Sequence, residues 1–472
     1  MNSAPQTKQV KPLTLTIFGI TGDLSARMLL PALYDLAAQS LLPEPMRIIG
    51  VVRRPYTVDE LLASIEQAVT QKGGTCDKAV LQRLGQQIEL FRMDLHEPND
   101  YAKLRQQLDQ TEAQANACMN RLFYIALPPQ LFEQVVTQLG EAGLNRGCAH
   151  GTGQARLMVE KPFGGDYDSA QALINQVHKH FDEQQIYRID HFLAKETAQN
   201  ILTFRFQNSL FRAVWNKHHI SRVLVSATET IGIEGRANFY EQTGALRDMV
   251  QSHLLQIAAL ATMDVPDTLT AQSIHDKKLA LLNAIEPAKP EQAVRGQYQG
   301  YQDEVGNQSS TETYAALQLT INNPRWQGIP ILLRTGKALA QKSTDITIVF
   351  TDHDDRTIDN TLTLQLAPNE GISLHLRAKK PGLEHDMQNV VMNFSYNDSF
   401  AKHRQPSAYE RVLIDAFRGD RTLFATSDQI LASWRILQPL LQAWQTAGSD
   451  LQTYAKGSEG PKAGKTTFGL EE

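Results

Sequence analysis

Cysteine is scarce: Cys76, Cys118 and Cys148 are all that 472 residues contain. Their spacing fits no Cys/His ligand pattern, and their density falls far short of a secreted disulfide scaffold. No metal site is therefore expected, and a reducing cytoplasm is the default compartment. Long apolar runs are missing too. No stretch would cross a bilayer or serve as a secretory h-region, and the first dozen residues are polar. Blocks of like charge are absent, and the formal net charge is only −5. That balance excludes the electrostatic footprint of a nucleic-acid or membrane-surface binder, while leaving local clusters free to hold small charged ligands. There is no internal repeat and no low-complexity tract. Hydrophobic residues make up 42 % of the chain, enough to build the cores of two or three domains at this length.

The N-terminal third alternates between strand and helix patterns. Leu13 to Phe18 is an apolar, β-rich run that meets Gly19-Ile20-Thr21-Gly22-Asp23-Leu24-Ser25, and a helical pattern through Leu29, Leu30, Leu33 and Leu36 follows. A strand, a glycine turn and a helix in that order let backbone N–H groups approach a pyrophosphate. The spacing is G-x-x-G-x-x-S rather than G-x-G-x-x-G, so the context after the helix has to carry the argument. A second strand, Met46 to Val52, ends in Arg53-Arg54, where an NAD-binding unit would present an acid to the ribose hydroxyls. Two guanidinium groups there suit a 2′-phosphate and favour NADP; a solvated strand end is the alternative. Arg121 to Leu127 and Arg156 to Val159 read as further buried strands, the second leading into Glu160-Lys161-Pro162-Phe163-Gly164.

Beyond residue 187 the texture changes. A helix is expected from Lys195 to Phe206, a strand from Val223 to Thr228, and a long helix from Gly244 to Met263 with Arg247, Asp248 and His253 in it. Residues 284–313 are rich in Gln, Glu, Gly and Pro and read as an excursion. Thr361 to Leu366 and Ile372 to Arg377 alternate strictly, and Thr347 to Phe350 more weakly, which indicates an antiparallel sheet with one wetter face. Helices return at Ser407–Phe417 and Asp428–Gln445, and the Gly-, Lys- and Ser-rich end after Tyr454 reads as loosely held. The fold class is therefore α/β, a Rossmann-like domain over residues 1–187 followed by a β+α domain with a large, mainly antiparallel sheet over 188–472.

One segment, Arg188-Ile189-Asp190-His191-Phe192-Leu193-Ala194-Lys195-Glu196, concentrates a carboxylate, an imidazole and an ammonium. On a helix, His191 and Lys195 would stand four apart on one face and could grip one anion. The competing reading is a surface helix start with Asp190 as its cap. For His253 the competing reading is a hydrogen-bonded core histidine.

Taken together, Gly-Ile-Thr-Gly-Asp-Leu near residue 20, Glu-Lys-Pro-Phe-Gly at 160–164, Arg-Ile-Asp-His-Phe-Leu-Ala-Lys-Glu at 188–196 and Arg-Asp-Met-Val-Gln-Ser-His-Leu-Leu-Gln at 247–256 resemble the glucose-6-phosphate dehydrogenase family. Ile233-Glu234-Gly235-Arg236, Asn323-Pro324-Arg325-Trp326, Leu333-Arg334-Thr335-Gly336-Lys337 and Ser407-Ala408-Tyr409-Glu410-Arg411 extend the likeness along nearly the whole chain. The resemblance implies oxidation of glucose 6-phosphate to 6-phosphoglucono-δ-lactone with NADP, the opening step of the oxidative pentose phosphate route. It also implies a homodimer or homotetramer, commonly joined through the large sheet.

It further implies roles for single residues. His253 would take the proton of the anomeric hydroxyl, Asp190 would orient it, and Lys161 would stabilise the developing alkoxide, chemistry that suits an imidazole titrating near working pH. His191 and Lys195 would hold the phosphate, Glu229 and Asp248 the sugar hydroxyls, and Lys337 with Lys342 the far wall. Gly19, Thr21, Gly22, Asp23, Leu24 and Arg53 would bind the cofactor, together with Lys161, which would sit near both substrate and nicotinamide. Met28 stands where the family often has a cation, with Arg27 beside it. Two departures bear on the substrate: Phe192 replaces a usual tyrosine, and Ala367 a frequent glutamine before Pro-Asn-Glu. These leave open a dehydrogenase of another hexose or hexose phosphate. An idle sensor of NADP or sugar phosphate is the third reading, against which stands the joint presence of Asp190, His253 and Lys161.

Overall fold

The computed structural model describes residues 11–148, 153–351, 360–401, 403–446 and 450–467. The polar start at residues 1–10 and the last five residues of the chain end lie outside them. Two compact units are present: one comprises Met1–Gly164, Asp168–Ala194 and Pro406–Ser427, the other Gly165–Tyr167, Lys195–Gln405 and Asp428–Glu472. No helix among the described residues is long and apolar enough to cross a membrane.

Among the described residues, the first unit holds six parallel strands, β1 (Leu13–Phe18), β2 (Met46–Val52), β3 (Ile88–Arg92), β4 (Asn120–Ile125), β5 (Ala155–Val159) and β6 (Ile186–Arg188), in the order β3-β2-β1-β4-β5-β6. This is the doubly wound order, whose reversal between β1 and β4 creates a crevice at the strands' C-terminal ends. Every residue of β1, β4 and β5 is buried, because crossover helices cover both faces of a parallel sheet. Alternation along β2 divides its side chains between two cores, Ile48 and Val52 on one face, Ile49 and Val51 on the other. Each such side chain contributes about 1.5–3 kcal/mol by leaving water. The helix Ala408–Arg418, far along the chain, completes the first of these cores with Tyr409, Val412, Leu413, Ala416 and Phe417. Arg156 Nη1 ties it down by donating to the carbonyls of Ala416 (2.6 Å) and Phe417 (3.1 Å). A disulfide joins Cys118 to Cys148, a pairing that cysteine scarcity did not disclose.

Among the described residues, the second unit is built on nine strands: β7 (Ile220–Thr228), β8 (Ala293–Tyr298), β9 (Tyr314–Thr320), β10 (Pro330–Gly336), β11 (Ser343–Phe350), β12 (Thr361–Ala367), β13 (Gly371–Lys379), β14 (Met387–Ser395) and β15 (Gln452–Tyr454). Their order is β14-β13-β12-β11-β7-β10-β9-β8-β15. Only the pairs β7–β10 and β8–β15 run parallel, so the mainly antiparallel sheet expected from alternation is present. Three expectations need correction. The excursion at 284–313 contains β8 and a short helix, Tyr301–Val305. The helix expected from Gly244 to Met263 breaks at Gly244 (φ 60°, ψ −177°) and continues as a π-helix, Leu246–Leu254, then an α-helix, Leu255–Thr262. The stretch just after Tyr454 is not loose: Gly457 N–H donates to Ala338 (2.8 Å), Ala340 N–H to Ser458 (2.9 Å), and Glu459 pairs with Arg334 (2.8 Å).

Candidate active site

In the first unit, parallel topology gathers polar groups at one sheet edge. Gly19 ends β1 with φ 82°, and a Cβ on it would lie 2.4 Å from the Ala126 carbonyl oxygen, so only glycine fits where β1 meets the chain leaving β4. Gly22 N–H (2.9 Å) and Ser25 Oγ (2.9 Å) both donate to the Gly19 carbonyl, closing the turn. The helix begins with a π turn, Ser25–Leu29, before the α-helix Leu30–Ala38. Such turns recur at functional sites. Arg53 and Arg54 are exposed directly after β2. Arg27, the neighbour of half-exposed Met28, stands 3.6 Å from Asp23 of the turn. This pair is too exposed to add much stability.

Further along the same edge, Tyr124 lies in β4, Glu160 and Lys161 follow β5, and Asp190 and His191 follow β6. The Lys161–Pro162 bond is cis. Tyr124 donates its hydroxyl to Glu160 Oε1 at 2.5 Å, and Glu160 Oε2 lies 3.1 Å from His191 Nε2. The Tyr409 hydroxyl is also 3.1 Å from that nitrogen, with its ring stacked on the imidazole at 4.4 Å. Burial pushes the Tyr124 and Tyr409 phenols up, and the negative charge of Glu160 pushes them further.

Here the sequence reading of 188–196 fails in one respect. Residues 191–194 form a turn, and Lys195 is the N-cap of a helix, Glu196–Gln207, so His191 and Lys195 share no helical face. Asp190 is no surface cap either. It is 6 % exposed, and its Oδ1 accepts from the N–H groups of Phe192 (2.9 Å) and Leu193 (3.4 Å). A short carboxylate that serves nearby backbone donors holds the chain in a turn and competes with helix.

In the second unit, Glu229 follows β7 and Lys337 follows β10. These strands run parallel with Thr228 opposite Gly336, which delivers both residues to one end of the sheet. Glu229 N–H donates to Gly336 and Leu339 N–H to Glu229, each at 2.9 Å, and the Lys337 ammonium pairs with the Glu229 carboxylate. Lys342, exposed, precedes β11, whose Ser343 stands opposite Thr228, so it reaches the same end. The π-helix Leu246–Leu254 packs on β7, β9 and β10 and carries Asp248 and His253, the latter 3 % exposed. Tyr240 links the groups. Lys337 Nζ lies 5.3 Å from its ring centroid, and burial pushes its phenol up, assisted by the charges of Asp248, Glu312 and Glu229.

The start of the π-helix is fixed by Glu312. Its Oε1 accepts from Leu246 N–H and its backbone carbonyl from Ala245 N–H, both at 2.9 Å. Burial raises its pKa against the opposing hydrogen bond from Leu246. Near the helix Glu196–Gln207, burial also raises Glu370, the positive charge of Lys195 opposes that, and Glu196 adds to it. The turn from Ala367 to Glu370 is therefore a neighbour of Lys195. Sequence reasoning missed Glu160, Tyr124, Tyr240, Glu312 and Glu370 as site-forming groups. Glu160 alone carried a signal, its place beside Lys161.

Residues 16–200 match the family model described as "Glucose-6-phosphate dehydrogenase, NAD binding domain", and residues 202–471 match "Glucose-6-phosphate dehydrogenase, C-terminal domain". The chain is 39 % identical to the glucose-6-phosphate 1-dehydrogenase of Chlamydia pneumoniae, over 96 % of this chain and 93 % of that one. It is 38 % identical to that of Aggregatibacter actinomycetemcomitans, over 95 % and 94 %. Among solved structures, it resembles a glucose-6-phosphate dehydrogenase in complex with its substrate glucose 6-phosphate, with a TM-score of 0.91, 32 % identity and 98 % of both chains covered. The enzyme from Mycobacterium avium gives 0.85 and 35 %, over 97 % and 96 %. With both domain models matched in order and relatives this similar along its length, the chain belongs to the glucose-6-phosphate dehydrogenase family.

Proposed function

We propose that the chain oxidises glucose 6-phosphate at its anomeric carbon to 6-phosphoglucono-δ-lactone, with NADP as the hydride acceptor, opening the oxidative pentose phosphate route in the cytoplasm. The observation that carries this reading is full-length likeness to enzymes of that name, joined to a sheet end that assembles Glu229 and Lys337 against the helix of Asp248 and His253. A nicotinamide cofactor fits the first unit. The glycine-only turn at the β1/β4 reversal would hold its pyrophosphate through Gly19, Thr21, Gly22, Asp23 and Leu24. Arg53 would meet the 2′-phosphate that distinguishes NADP. When bound, the nicotinamide supplies the acceptor for the hydride.

The protein's own task is to take the hydroxyl proton and to hold the sugar. In this proposal His253 removes that proton, Asp190 orients the imidazole and steadies its charged form, and Lys161 places positive charge near the developing alkoxide. His191 and Lys195 receive the phosphate dianion. Glu229 and Asp248 accept from the polyol, and Lys337 with Lys342 close the far wall. Purified protein assayed with glucose 6-phosphate, glucose and other hexose phosphates, each with NADP and with NAD, tests the reading. Cofactor reduction is expected to be greatest with glucose 6-phosphate and NADP. Silence across the panel would refute it.

Phe192 and the Ala367 turn favour a second reading, in which another hexose phosphate is the better substrate. Each lacks a hydrogen-bonding group, and one such bond to a charged partner is worth about 1.5–3 kcal/mol. On the main reading Phe192→Tyr lowers KM for glucose 6-phosphate. No improvement would count against a phosphate contact at this position.

Assembly as a homodimer or homotetramer is part of the proposal. β14 is the edge strand of the large sheet and exposes Val391 (47 %) and Met392 (63 %), an apolar edge of the kind a second copy covers.

A further inference from the structure

His191 has more around it than a phosphate ligand needs. Glu160 from β5's end and Tyr409 from the helix Ala408–Arg418 both meet one ring nitrogen, Nε2, and Tyr124 of β4 reaches it only through Glu160. Both phenols stay neutral at working pH, since burial and Glu160 raise them. The Tyr124 hydroxyl fills one side of the Glu160 carboxylate at 2.5 Å, and the other oxygen faces His191 Nε2 at 3.1 Å. A carboxylate is an acceptor only, so the nitrogen that faces it carries a hydrogen in either charge state of the ring. The ring's other nitrogen is Nδ1. That atom is shut off from solvent and has no hydrogen-bond partner in the structure, a condition that an acceptor would relieve.

We propose that Glu160 is a positioning residue for the substrate's phosphate: its carboxylate holds His191 through the hydrogen on Nε2 and so fixes the ring where the phosphate is received. This is a carboxylate–imidazole couple separate from that proposed for Asp190 and His253, and it serves binding rather than proton abstraction. Tyr124 and Tyr409 keep the carboxylate and the ring in register. The inference rests on the reading of His191 as a phosphate ligand.

A double-mutant cycle tests both steps. Glu160→Gln keeps the shape and an acceptor but withdraws the charge, and His191→Asn removes the ring. Each is expected to raise KM for glucose 6-phosphate about 10- to 100-fold, with a smaller fall in kcat. The double variant is expected to be little worse than His191→Asn alone, because the carboxylate acts through the ring. Multiplicative losses, or a normal KM in Glu160→Gln beside a raised one in His191→Asn, would overturn the positioning role and leave the phosphate reading intact. A normal KM in His191→Asn would overturn both. Should Glu160→Gln fail to fold, the same cycle run on Tyr124→Phe, which removes one hydrogen bond to the carboxylate, is expected to show the same non-additivity at a smaller amplitude, and additivity there would refute the proposal.

Discussion

Replacing Gly244 with alanine tests how the helix of His253 is anchored. At φ 60° and ψ −177° this residue occupies backbone space open to glycine alone, and a Cβ would come within 2.4 Å of Glu312 Oε1. The variant faces two costs. Backbone strain at a non-glycine residue there is about 1–3 kcal/mol, and pushing the buried carboxylate off Leu246 N–H loses a hydrogen bond to a charged group worth about 1.5–3 kcal/mol. Their sum is roughly 2.5–6 kcal/mol before relaxation, a large share of a domain's stability. Because Asp248 and His253 lie four and nine residues downstream in the same helical run, kcat/KM is expected to fall as well. Urea unfolding beside steady-state kinetics provides the measurement, with Glu312→Gln as a control that keeps a neutral acceptor and is expected to lose less. A Gly244→Ala protein within about 1 kcal/mol of the parent and turning over normally would refute the anchoring argument.

Asp415 yields a pH dependence. Burial pushes its carboxyl up from 3.8 to about 6 against the opposing charge of Arg411, so the fold prefers the protonated form. The associated stability, about 3 kcal/mol, is fully present below the ordinary value and is lost as pH rises through about 6. Subtracting the stability–pH curve of Asp415→Asn from that of the parent is expected to leave a fall of this size, and a flat difference would contradict it. Arg53→Ala is expected to raise KM for NADP about 10-fold or more by losing one charge-assisted phosphate contact, with little change for NAD. An equal effect on both cofactors would remove Arg53 from the 2′-phosphate.

The parts of the fold that were legible are those whose signals are local. β1, the glycine turn and β2 could be read because a buried strand, a tight turn and a helix each declare themselves within a few residues. The alternating strands β12 and β13 did so through their period of two. β8 was hidden because Arg295 and Gln297 sit buried in it, satisfied by the Trp444 carbonyl at 2.9 Å and by the Ser309 and Thr311 carbonyls at 3.0 and 2.9 Å; composition marks such residues as loop. The four-residue spacing of His191 and Lys195 could not distinguish a helical face from a turn, since the Asp190 side chain decides that by capturing two backbone donors. Tyr409 escaped because its partners lie over two hundred residues away in sequence, and only the topology brings them to it. The π-helix under His253 has no periodicity signature separable from an α-helix over nine residues.

The central claim is that His253 takes the proton of the anomeric hydroxyl. It is tested most directly by measuring kcat for glucose 6-phosphate with NADP in the parent and in His253→Asn, alongside substrate binding at equilibrium. A fall in kcat of about 100- to 10,000-fold with binding largely kept is the expected result, and undiminished turnover in the variant would contradict the account.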